Sequence, residues 1–168
     1  MSPHGISPIA AKMTSQATSR MTREFKIVFL TTCIVLYISG VAYFYFEHFV
    51  RVATDFGEDQ SPYQALILHL HGIAGLLFLG LFGYLYATHV KPGLRGRARK
   101  LSGYMILTVV LILCFTVPGL YYLGSERLRA LFSNVHTYLG LAVILPFFWH
   151  FIGRFEKMRA RKLRERAN

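Results

Sequence analysis

Four apolar runs, roughly 27–46, 64–88, 102–123 and 134–152, constrain this chain more than any other feature. Each is close to the ~20 residues that an α-helix needs to cross a bilayer. None carries Asp, Glu, Lys or Arg in its central part. No polar face alternates with the apolar residues, so a soluble helical core is a poor rival. In lipid the backbone must satisfy its own hydrogen bonds, and a helix does so within one segment. The connections are short, so neighbouring spans run antiparallel. The predicted fold is an all-α integral membrane protein, a four-transmembrane-helix up-down bundle over residues 25–154. Residues 1–24 read as a disordered basic tail and 155–168 as a second basic tail.

Charge sets the orientation. The net charge is +11, which in a soluble protein would suggest nucleic acid. Here sixteen of the 19 cations fall in three segments: the N-terminal tail to Lys26, the second connection (Lys91 to Lys100) and the C-terminal tail from Arg154. The first connection pairs Arg51 with Asp55, Glu58 and Asp59, and the third holds Arg127 and Arg129 with Glu126. With four spans, both tails and the second connection share a side, and the positive-inside rule makes that side cytoplasmic. The RARKLRER stretch then reads as an anchor on anionic lipid, with no nucleic-acid partner. The first run is a full span after a polar preface of about 24 residues, so it reads as an uncleaved anchor.

Smaller signals fit this frame. Cys33 and Cys114 lie inside runs, and no CxxC or CxxCH occurs, so they read as packing residues. Aromatic residues cluster at the run ends, as an interfacial belt requires. Pro118-Gly119 is expected to kink or end the third helix, and KPGLRG (91–96) to form a tight basic turn. There is no GxGxxG, P-loop or nucleophile elbow, and no extramembrane segment large enough for a nucleotide site.

Six of the seven histidines lie on or beside the runs: His48, His69, His71, His89, His136 and His150. Ionisable groups are expensive at membrane depth and usually face the bundle interior. At about 100° per residue, the 18 residues from His71 to His89 make about five turns, and the 14 from His136 to His150 about 40° short of four. Each pair shares a helix face, on two runs that point the same way. His71 and His136 then lie near the outer end, His89 and His150 near the inner end. Two facing imidazoles suit the axial positions of a haem iron. Gly75 and Gly140 each follow a histidine by one turn on the same face, where glycine lets a ring edge or a second helix approach the backbone. At ~1.5 Å per residue the first pair is separated by about 27 Å and the second by about 21 Å, a mismatch of one turn. Replacement of an outer ligand by His48 or His69 would be one way out. His69 also reads as either a packing residue or the proton acceptor of a quinol site. Arg127 and Arg129, or Arg97 and Lys100, could pair with haem propionates. Two rivals stay open: a haem-free structural or assembly subunit, and a metal or proton transporter using the same histidines.

LHLHGIAG with THV in the second run, RKLSGY opening the third, TVPGLYYLGSERLRALFSNVH and HTYLGLAVILPFFWHFIGR together resemble the bacterial four-helix di-haem b-type cytochromes, the cytochrome b-561-like membrane proteins. The resemblance covers about 30–154. The 18-residue spacing on the second run is longer than is usual in related quinol-oxidising cytochromes. The resemblance implies a multi-pass protein of the bacterial cytoplasmic membrane with two haem b groups. It implies His71 and His136 on the outer iron, and His89 and His150 on the inner iron. It further implies exchange of electrons with ubiquinone or menaquinone and with a redox partner, as a membrane subunit of a larger complex.

Overall fold

The computed structural model describes residues 21–95 and 101–167. Its order is α1 (Arg23–Phe49), a hairpin of β1 (Arg51–Thr54) and β2 (Gly57–Gln60), α2 (Pro62–Leu85), a π-helical turn Tyr86–Val90, α3 (Lys91–Arg95), α4 (Leu101–Tyr122), α5 (Glu126–Ala142) and α6 (Ile144–Ala167). Four helical stretches are long and apolar enough to cross a membrane: Arg23–Phe49, Pro62–Leu94, Leu101–Tyr122 and Glu126–Gly153. The protein is therefore mostly helical with four candidate spans. The tail assigned to residues 1–24 lies outside the described residues up to residue 20.

Local chemistry sets the ends. Thr22 caps α1 by accepting the Phe25 amide at 3.2 Å, and Glu24 adds an anion to the first turn. Pro62 opens α2 at a position where its missing N–H has no helical partner to lose. Ser125 and Glu126 start α5 in the same way as Thr22 and Glu24. That start puts Arg127 and Arg129 on a helix rather than in a loop. The first connection is an antiparallel hairpin. Arg51 faces Gln60 and Thr54 faces Gly57; Gly57 has φ +117°, a value only glycine adopts easily. Phe56 stands fully exposed at its tip.

The outside of the bundle is apolar and its inside is small and polar. Leu76, Phe115 and Ile73 are 74%, 72% and 67% exposed. Among the described residues the buried side chains are Ala74 and Val110 with Thr32, Ser39, Ser61, Gln64 and Thr116. That inversion suits a bundle in lipid, where helices pack through small residues and interhelical hydrogen bonds. The closely packed pairs are α1 with α2 and α5, and α4 with α5 and α6; α2 and α5 are not among them in the described residues. Aromatic rings join α1 to α2 toward the chain termini, with Phe25–Tyr84 at 4.6 Å and Phe29–Phe78 at 5.8 Å. Toward the hairpin the same seam narrows to Ser39, Gly40 and Ala74.

Three of the four spans depart from simple expectation. α4 neither ends nor breaks at Pro118 but continues to Tyr122. The fourth span is divided: α5 stops at Ala142 and α6 starts at Ile144. Pro146 is the cause, since it has no N–H for the Ala142 carbonyl. Beside this break the Tyr37 hydroxyl of α1 donates to the Leu141 carbonyl at 3.3 Å. At the end of α2 the chain winds as a π-helix, and the Lys91 amide reaches back to the Tyr86 carbonyl. Pro92 would clash with the Thr88 carbonyl in an α-helix, and the wider turn moves that carbonyl aside. KPGLR is accordingly helical, not a tight turn.

Candidate metal centre

His71 on α2 and His136 on α5 meet across the bundle, with ring centroids 6.2 Å apart and planes at 86°. Both rings are half-buried. Each is held by a helix other than its own. The His71 Nδ1 lies 3.1 Å from Ser39 Oγ and 3.1 Å from the Leu36 carbonyl, both on α1. The His136 Nδ1 lies 2.7 Å from Thr116 Oγ1 on α4. The proton positions follow from the hydroxyls. Ser39 donates to the Leu36 carbonyl at 3.0 Å and Thr116 to the Leu113 carbonyl at 2.7 Å. A hydroxyl has one proton to give, so each oxygen offers Nδ1 a lone pair. Nδ1 must then carry the ring proton, which leaves the lone pair on Nε2. That is the tautomer of a metal-ligating histidine whose second nitrogen is tied down by a neighbour.

The separation tests what could lie between them. Two metal–nitrogen bonds of ~2 Å, with ~1 Å from each nitrogen to its ring centre, place the centroids ~6 Å apart. A direct hydrogen bond between the rings, at ~2.9 Å, would bring them to ~5 Å. The observed 6.2 Å is longer than the directly bonded case and leaves room for an ion between the rings. A direct bond would also need a donor, and in this tautomer Nε2 has none. Among the described residues no group of three or more His, Cys, Asp or Glu side chains comes together that could hold a metal ion. Two nitrogens alone suit an ion that brings its own equatorial ligands, as iron in a porphyrin does. The donor set and its spacing fit a haem.

The other predicted residues are placed less tightly. His150 on α6 has its Nδ1 3.1 Å from Ser102 Oγ on α4, a third histidine held by a hydroxyl. His89 lies exposed on the π-helical turn. The ideal-helix angles do not apply to either run. The π turn winds more loosely than an α-helix, and the break at Val143 separates His136 from His150. Gly75 faces α1, where an added Cβ would meet Leu36 Cδ1 at 3.8 Å, an ordinary packing distance. A Cβ at Gly140 would meet nothing within 4 Å. His69 is exposed on α2. His48 bonds its own helix at the Phe44 carbonyl, 2.9 Å away, and lies against the Phe44 ring at a tilt of 32°. Arg127 and Arg129 are exposed in the first turn of α5; Arg97 and Lys100 lie outside the described residues.

The sequence reading missed Ser39, Gly40, Ser102 and Thr116. Gly40 matters sterically: a Cβ there would stand 3.0 Å from His71 Cε1 and 3.3 Å from Nδ1. Their one signal was a small or hydroxyl residue inside an apolar run. No family model, curated protein or solved structure matches the chain; the site is read from its own geometry.

Proposed function

We propose that this chain is an integral membrane cytochrome b that carries single electrons across the bacterial cytoplasmic membrane through two haem b groups. The observation behind this reading is the His71–His136 pair: 6.2 Å apart, with both Nδ1 atoms fixed by hydroxyls of flanking helices. His71 and His136 would hold one haem. His89 and His150 would hold the other, toward the termini. The haem supplies one-electron redox chemistry; the chain supplies axial nitrogens, their orientation and an apolar surround. Cation placement supports cytoplasmic termini, and the His71–His136 site would then lie toward the outer face. Electrons would pass between the quinone pool and a redox partner protein, with this chain as the membrane subunit of a larger complex.

The test is a reduced-minus-oxidised spectrum of the purified protein with a pyridine haemochrome count. About two b-type haems per chain are expected from two pairs of axial ligands. Colourless protein after expression with haem supplied would put the structural subunit ahead. Divalent-metal binding without a haem spectrum would favour the transporter.

Thr116 offers a finer test. In Thr116→Val the His136 Nδ1–H loses its acceptor, so the imidazole becomes a poorer donor to ferric iron. The midpoint potential of the outer haem should rise, and its affinity for the site should fall by about 10–100-fold, the usual effect of losing such a partner. A redox titration that superimposes on wild type would show that the Thr116 bond does not reach the iron.

A further inference from the structure

We infer that Tyr43, Glu47 and Gln64, at the hairpin end of the α1–α2 seam, form a binding site for the hydroxyl head of a hydroquinone, with Glu47 as its proton acceptor. This rests on the proposed outer haem as the electron acceptor.

Gln64 is 4% exposed, among the most buried side chains described. Its Nε2 donates to Glu47 Oε2, while its Oε1 is buried and has no partner. The amide cannot be turned round, because its oxygen would then face a carboxylate oxygen. Tyr43, one turn before Glu47 on α1, lies beside this pair. The cluster therefore presents an unmet acceptor beside a carboxylate. Buried acceptors are rarely left unmade, and this one calls for a donor from outside the chain.

The position says which donor. Glu47 is seven residues beyond Gly40, the residue that faces His71, and Gln64 is seven residues before His71. Seven residues are about two turns, so the cluster lies on the His71 side of both helices, ~10 Å nearer the hairpin. A membrane-soluble ligand with a hydroxyl donor there would sit within electron-transfer reach of the histidine pair. Iron takes an electron and no proton, so a neighbour must take the proton. In each event one hydroquinone O–H bond breaks, its proton forms an O–H bond on Glu47 and one electron reduces a ferric haem. Glu47 then releases the proton toward the hairpin side before the next event. Two events convert the hydroquinone to a quinone, reduce two ferric haems and release two protons. The reverse sequence reduces a quinone. Neither sequence candidate is placed for this: His69 is exposed on α2 and His48 is bound to its own helix.

The test uses the haem-loaded full chain and duroquinol, following haem reduction by stopped-flow absorbance. Glu47→Gln should slow reduction by duroquinol at least tenfold. Haem content and reduction by dithionite should stay unchanged. Gln64→Leu should raise the duroquinol concentration needed for half-maximal rate. Glu58→Gln, in the hairpin, should behave as wild type. If Glu47→Gln loses haem, Tyr43→Phe carries the same kinetic test with a smaller change. Wild-type kinetics in all three cluster variants, at full haem content, would overturn this inference alone. A wild-type chain without haem would overturn it together with the function on which it rests.

Discussion

His136→Ala should cut the haem content of the purified protein from about two per chain toward one, since one of the two imidazoles that would hold the outer haem is gone. The loss should be of a particular haem. In the structure the two rings cross at 86°. Crossed axial rings leave the two π-type d orbitals of ferric iron close in energy, so this centre should give a strongly anisotropic low-spin resonance. That signal should vanish in the variant while the other haem keeps its spectrum. His71→Ala should remove the same component, and the double variant should lose no more than either single one. Such non-additivity is expected of two residues that act on one group. Imidazole in the buffer should restore part of the signal to His136→Gly, where the space for a ring is kept. Two haems retained in both single variants would sink the assignment of this pair.

Gly119→Ala should have the next largest effect, although Gly119 touches no histidine. A Cβ at this position would lie 2.0 Å, 2.5 Å and 2.7 Å from ring carbons of Phe132 on α5. The third contact is with Cγ, at the root of the ring, so a ring flip does not relieve it. Helices α4 and α5 would have to move apart or Phe132 would have to leave its rotamer. Overpacking of this kind costs about 1–3 kcal/mol. Gly119 is three residues after Thr116, and Phe132 is four before His136. The clash therefore falls about one turn from the Thr116–His136 bond and shifts its register. The variant should melt at a lower temperature and lose outer-haem occupancy. Adding Phe132→Ala should recover much of that occupancy. An unchanged melting temperature and haem content in Gly119→Ala would contradict the close packing of these helices.

The four spans were legible because a long apolar run has few options in water or lipid. Their ends were not. Caps such as Thr22 and Ser125 extended α1 and α5 beyond the hydrophobic stretch, and carried Arg127 and Arg129 into a helix. The hairpin was missed because RVATDFGEDQ has little apolar alternation; a short backbone ladder and one glycine suffice to form it. The meeting of His71 and His136 could be anticipated from their depth on two like-directed helices. Its support could not. Ser39 and Thr116 look like other small residues in apolar runs, and only tertiary contact puts their oxygens beside Nδ1. The spacing mismatch along the two runs assumed ideal helices. A proline lies at each departure from that ideal, Pro92 after the π turn and Pro146 after the break, and a constant angle per residue hides both.

The division of the fourth span at Val143 has a consequence for how such a protein can change. His136 belongs to a rod that ends at Ala142, and His150 to another that begins at Ile144. The hydrogen bond that Pro146 cannot make lies between them, so the span bends more easily here than within an unbroken helix. Selection can then retune the end of the molecule that carries His136 with less effect on the end that carries His150.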